Sequence, residues 1–251
     1  MTAYTVTGTT TNNTFGGGIL KVYVLDNAAL AGTPATGSST TAYNCAVTPT
    51  ATGSLIFGGA NNESATAAFT AEGNTTISDD QSINAGGAEG CAFYTTATTT
   101  SGQVGNAQTV GSSSAFGGTY GAVAMEILAS GGTLSIDGSS PAAVQSLTLT
   151  SFTTASFSPS AGSILVAVLS ACGNDSANVL AGTVSSSPSI TFTEQIKINS
   201  TVSPANSYVG VWTAVVPASV TSGPALSPQF TGAVPVVVAS RAGWRGAQHS
   251  R

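Results

Sequence analysis

A hydrolytic nucleophile needs a base held beside it, and this sequence offers one imidazole, His249, two residues from Arg251. A base there would be poorly fixed, so a Ser-His-Asp hydrolase is not expected. Motifs that need two histidines on a metal are excluded by the count. Carboxylates can work without histidine, as the acid pairs of glycosidases do. Five of the ten acids, Glu63, Glu72, Asp79, Asp80 and Glu89, crowd into one stretch, and Glu126 and Glu194 lie further on. Glycosidase clefts also need aromatic platforms, and the chain has two tryptophans. Glu126 sits in the apolar run "GAVAMEIL", where an outward-facing side chain is the ordinary solution. Asp79-Asp80 has carboxylates for a calcium ion but no EF-hand spacing around it, and reads as a solvated turn. "FGGGILK" lacks the ending of a phosphate-binding P-loop. Cys45, Cys91 and Cys172 form no CxxC pair and read as buried thiols; whether Cys45 and Cys91 pair stays open. No catalytic, metal-binding or cofactor-binding residue is assigned, and the expectation is a protein that is not an enzyme.

The elements that would position such residues follow from composition. Charged residues make up 6% of the 251, against roughly 25% in an average soluble domain. Serine and threonine replace them, with 34 and 37 copies, and glycine adds 30. Threonine, valine and serine punctuated by glycine favour strands and tight turns over exposed helices. The chain is therefore predicted to be all-β. Its surface is hydrated mainly by hydroxyls; either it is simply coated in Ser and Thr, or much of it lies against other subunits. The five cations leave no cluster in the body of the chain, so nucleic acid is not expected as a ligand. "MTAYTVTGTTT" lacks the charged and apolar regions of a secretory signal. The longest apolar run, "ILVAVLSAC", is too short to span a bilayer, and no membrane association is expected.

One sentence is written twice. "GGGILKVYVLDNAALAGT" runs from Gly16 to Thr33, and "AGSILVAVLSACGNDSANVLAGT" from Ala161 to Thr183. In the first, Ile19, Lys21, Tyr23 and Leu25 share one face of a strand and Leu20, Val22 and Val24 the other. The second is apolar on both faces, as a central strand must be. Other segments match in the same order: Tyr4 onward with Leu147 onward, "SLIF" (54–57) with "SITF" (189–192), Cys91 onward with Val209 onward, and Phe116 onward with Phe230 onward. The expectation is an internal duplication giving a tandem pair of β-sandwiches, jelly-roll or immunoglobulin-like. The first would occupy 1–136, with a long acidic loop at 59–90. A linker would follow at 137–145, with the second sandwich at 146–240. Residues 241–251, "RAGWRGAQHSR", change character, and Arg241, Trp244, Arg245 and Arg251 are predicted to dock on a partner. The loop and the arm are the places where a rigid sandwich would carry its binding groups.

The run Pro159–Val166, followed by "VWTA" at Val211–Ala214, resembles the Gly/Thr/Ala-rich β-sandwich modules of tailed-bacteriophage structural proteins. The resemblance covers mainly residues 145–240. It implies a virion component, such as a capsid decoration protein, head fibre or minor tail protein, assembled in the host cytoplasm. The implied partners are the major capsid or tail protein and further copies of the chain. A second reading is a carbohydrate-binding adhesin, with Tyr94, Tyr120, Tyr208 or Trp212 forming a platform for a surface glycan.

Overall fold

The computed structural model describes residues 2–11, 15–37, 43–62, 68–83, 88–114, 120–146, 150–173, 181–200 and 206–218. Among these residues there is no helix, hence none long and apolar enough to cross a membrane. All strand pairings are antiparallel.

The strands form four sheets stacked in layers. The first contains β12 (Ser151–Thr153), β1 (Thr5–Thr10) and β14 (Gly182–Ser187), in that order. The second runs β10 (Ser135–Ile136), β2 (Phe15–Asp26), β13 (Ile164–Gly173), β16 (Asn206–Val215) and β15 (Thr193–Ser200), with β11 (Val144–Ser146) also on β2. The third runs β3 (Ala28–Gly37), β9 (Tyr120–Ala129), β5 (Leu55–Asn62), β7 (Ala88–Thr95) and β6 (Thr75–Ile83). The fourth pairs β4 (Tyr43–Val47) with β8 (Gln108–Ser112).

The two middle sheets are apolar on both faces, and this creates three cores. Leu20, Val22, Val24, Leu165, Ala167 and Leu169 meet Val6 and Phe152 of the first sheet. On the opposite face, Tyr23, Leu25, Val166 and Val168 meet Phe57, Val123 and Met125 of the third sheet. Beyond that, Ile56, Phe93 and Ala124 meet Tyr43, Val47 and Val110 of the fourth. The two-faced reading of β2 and β13 is the one their sequences require. Removing a leucine-sized side chain from water contributes about 1.5–3 kcal/mol, so each such strand is held from both sides. The outer strands alternate instead, as β1 and β4 do between buried and more exposed positions.

The tandem arrangement gives way to an interleaved one. β2, from the first half, hydrogen-bonds along its length to β13, from the second, and β1 pairs with β14. The residues expected as a linker instead run beside β2. β10 and β11 pair with it, the Asp137 amide donates to the Val24 carbonyl at 2.8 Å, and the Val24 amide donates to Ser140 Oγ at 2.9 Å. The reason is that β2 is apolar on both faces and needs a neighbour at each edge; 135–146 supplies one and β13 the other. The boundary at 137–145 therefore separates no cores, and one unit runs from Met1 to Ser219. A second unit, Val220–Arg251, lies outside the described residues; it contains the end of the expected second sandwich, up to 240, and the arm at 241–251.

The similarity of the two apolar runs is reflected in the β2–β13 pairing. Aligning Ile19 with Ile164 makes Val22 equivalent to Ala167, and these two are direct partners across the β2–β13 ladder. The flanking pairs Leu25–Ile164 and Ile19–Ser170 mirror each other about that point. Two other matches do not share positions: β7 lies between β5 and β6 while β16 lies between β13 and β15, and Ser189–Phe192, unlike Leu55–Phe57, is not in a strand. The match of Phe116 with Phe230 onward extends outside the described residues.

The segment expected as a long loop is largely folded. β5 extends to Asn62, β6 occupies Thr75–Ile83, and Phe69 is buried in the third core. At the corner between β2 and β3 the chain passes from one sheet to the next through Asn27, whose φ of 56° lies in the left-handed region that asparagine tolerates. Its side-chain amide donates to the Thr133 carbonyl at 3.0 Å, which anchors the corner.

Candidate functional site

Each carboxylate singled out above, where described, holds a neighbouring part of the fold. Glu126 on β9 is 0% exposed and does not face outward. Its carboxylate accepts from the Thr50 amide at 3.0 Å, the Thr50 hydroxyl at 2.7 Å and the Ala51 amide at 3.3 Å. Burial pushes its carboxyl up, but hydrogen bonds from Ser54, Thr50 and Ala51 reverse this and leave it below the usual range. Glu126 thus caps the irregular stretch between β4 and β5 by accepting from its Thr50 and Ala51 N–H groups. Gly32 leaves room for it: a Cβ there would lie 2.4 Å from Glu126 Oε2.

Asp79 and Asp80 are on β6 and not in a solvated turn. A register shift between Ile77 and Asp79 turns Ser78 out of the ladder. Asp79 reaches the second sheet and pairs with Lys21 at 3.0 Å, the two side chains 20% and 13% exposed. Asp80, one residue on, points the other way and accepts from the Phe69 amide at 2.9 Å. Burial raises its carboxyl, partly opposed by that amide. Glu72 accepts from Asn44 at 2.7 Å, and Glu194 pairs with Lys197 at 2.8 Å. Glu63 and the Glu89 side chain lie outside the described residues.

The Lys21 ammonium lies 5.6 Å from the centre of the Tyr23 ring and donates to the Pro141 carbonyl at 3.2 Å. The Tyr23 hydroxyl meets Ser78 Oγ at 2.5 Å, and Ser78 donates onward to the Ala92 carbonyl at 3.1 Å. Burial, opposed by Ser78 and reinforced by the Asp79 charge, holds the Tyr23 phenol far above its ordinary value. A phenol held neutral in this way, 1% exposed, bonds the second sheet to the third. Among the described residues no group of three or more His, Cys, Asp and Glu side chains gathers around a metal position. Cys45, Cys91 and Cys172 are buried thiols, the first two in the third core.

The aromatic platform expected for an adhesin is not available on β16. Tyr208 and Trp212 are 1% and 4% exposed and belong to the first core. Tyr94 stacks on Phe57 at 6.0 Å beside the second core, and the Tyr120 side chain lies outside the described residues. The predicted docking residues Arg241, Trp244, Arg245 and Arg251 also lie outside them.

Two surface features are rich in uncharged polar side chains. The outward face of the first sheet carries Thr5, Thr7 and Thr9 on β1, Ser151 and Thr153 on β12, and Thr183, Ser185 and Ser187 on β14. These form cross-strand rows, Ser185–Thr7–Thr153 and Thr183–Thr9–Ser151, and Thr7 Oγ1 meets Thr153 Oγ1 at 2.8 Å. The other feature is a cleft of about 580 Å³ where β7 leaves the third sheet, lined by threonines, glutamines and Asn74. The match of "CAFYTTATTTSG" with the segment from Val209 predicts a shared course, and β16 runs on to Val215. β7 ends at Thr95, however, and the following hydroxyl-rich residues turn away to form the cleft wall. The threonine run was the available signal; its place beside Gln103 and Gln108 was not visible locally.

No family model, no curated protein and no solved structure matches this chain.

Proposed function

We propose that this chain is a non-enzymatic structural protein of a bacteriophage virion, binding the capsid or tail surface and stabilising it. The observation that supports the reading is the outward face of the first sheet, where eight Ser and Thr side chains stand in rows without a charge. Subunits packed at high density gain from such a face, because it offers hydrogen bonds to a neighbour with no like-charge repulsion between copies. The cations of the described residues fit the same picture, since Lys21 and Lys197 are both ion-paired within the chain. The partners are the major capsid or tail protein and further copies of this chain, the site of assembly is the host cytoplasm, and residues 241–251 are the docking arm. The repeat is read as an internal duplication whose two copies are interleaved, on the strength of the mirrored β2–β13 register.

The experiment is purification of particles containing the full chain and a variant lacking residues 241–251. The full chain is expected in particles at a fixed copy number. The truncated chain is expected to melt at the same temperature but to be missing from particles. Absence of the full chain from particles overturns the virion reading, and normal incorporation of the truncated chain overturns the arm.

A second reading, a carbohydrate-binding module, is favoured by the cleft beyond β7 and no longer by exposed rings.

A further inference from the structure

We infer that the cleft beyond β7 is a binding site for an uncharged saccharide. The inference builds on the second reading of function and is independent of virion attachment. The cleft measures about 580 Å³, within the roughly 300–1,000 Å³ of small-molecule sites. Its walls come from four places: Thr95–Thr100 at and beyond the end of β7, the turn at Gly73–Asn74 before β6, Ile56 on β5, and Gln103 with Gln108, the latter at the start of β8.

The polar groups are held in place before any ligand arrives. The Thr100 amide and hydroxyl both donate to Gln103 Oε1, at 2.8 and 3.0 Å. Gln103 Nε2 donates to Gln108 Oε1 at 3.0 Å, and Gln108 Nε2 donates to the Asn106 carbonyl at 3.0 Å. This chain of bonds settles which end of each amide is oxygen and which is nitrogen. It leaves the second Gln103 N–H and the second lone pair of Gln108 Oε1 for a ligand. On the facing wall, the Thr96 amide is tied to the Asn74 carbonyl at 2.8 Å, and its hydroxyl to Thr76 at 3.0 Å. Preorganised donors and acceptors cost less to engage than mobile ones.

The chemistry of the lining selects the ligand class. Among the described residues no charged side chain lines the cleft, so an anion or cation would lose hydration without a counter-charge. A purely apolar ligand would strand the hydroxyls and amides. A neutral sugar matches both demands: its hydroxyls donate and accept, and its C–H faces can rest on the exposed threonine methyls and Ala97. Without an aromatic ring among the described lining residues, affinity for one sugar unit is weak, and useful binding requires many copies.

The test uses the full chain on an array of neutral and acidic glycans, followed by saturation-transfer NMR with the best neutral glycan. Two variants accompany it. Ala97→Arg fills the cleft from an exposed position, and Gln103→Ala breaks the amide chain; retention of the wild-type melting temperature checks folding. Neutral glycans are expected to bind the wild type, and both variants are expected to lose at least tenfold. Three results overturn the inference: no neutral glycan binding at concentrations up to about 1 mM, a preference for acidic glycans, or undiminished binding by folded Ala97→Arg. None of these bears on copurification with particles, so failure of the saccharide site and failure of the virion reading are separable.

Discussion

Val22 and Ala167 face one another across the β2–β13 ladder and occupy equivalent positions in the sequence repeat. Two strands of similar sequence are therefore related by a local two-fold at the centre of the second sheet, as two subunits would be in a symmetric dimer. Each strand covers one edge of the other. The first half without β13 would expose one edge of β2, and the second half without β2 would expose the corresponding edge of β13.

Dividing the chain between Gly138 and Ser139, at an exposed turn, is accordingly expected to give halves that do not fold alone. Co-expressed, they are expected to associate into a particle with the circular dichroism and cooperative melt of the intact chain. A cooperative transition from either half alone, by calorimetry, would show that the interleaving is dispensable.

Glu126 satisfies the stretch that links β4 to β5. Glu126→Ala leaves the Thr50 and Ala51 amides without their acceptor and is expected to cost about 2–4 kcal/mol in urea unfolding. Glu126→Gln, which keeps one acceptor, should cost less. The carboxyl is held below its unfolded value, so the folded chain binds the proton less readily than the unfolded one. Its contribution is full above the unfolded value of about 4.3 and is lost as pH falls through the lower folded value. The difference in stability between wild type and Glu126→Gln should shrink below about pH 4; a constant difference from neutral to acid pH would contradict the assignment.

Gly59 sits where the third sheet presses on the second. A Cβ at this position would lie 2.6 Å from Val168 Cγ1 and 3.0 Å from the Cys91 carbonyl. Gly59→Ala is expected to cost about 1–3 kcal/mol. Val168→Ala makes room on the same spot, so the double variant should be less destabilised than the sum of the two. Strict additivity in a double-mutant cycle would mean that the two sheets do not touch there.

The Lys21–Asp79 pair joins the same two sheets and is mostly shielded from water. Removing one partner strands a charge, so Lys21→Met and Asp79→Leu are each expected to cost about 1–3 kcal/mol. Combined, they should recover much of that loss, because two apolar side chains between Tyr23 and its neighbours need no counter-charge. Thermal melts of the four proteins at low and high salt check this; equal costs for single and double variants would reduce the pair to a surface contact.

What the sequence alone determined was local. The hydroxyl-rich composition and the short apolar runs dictated strands, and alternation in β2 assigned Leu20, Val22 and Val24 to one face and Tyr23 and Leu25 to the other. Both properties follow from the two-residue period of an extended chain. The tertiary structure decided the rest, because a strand edge exposes only backbone N–H and C=O groups, and these do not record which partner they require. Hence β2 could take β13 as neighbour and turn two expected sandwiches into one four-layer stack. The same logic placed the polar groups. Glu126 points inward because unpaired amides at Thr50 and Ala51 meet it there, and Asp79 reaches Lys21 because a bulge at Ser78 redirects its strand. Those partners lie 76 and 58 residues away in the chain, a distance over which only packing, and no local pattern, brings side chains together.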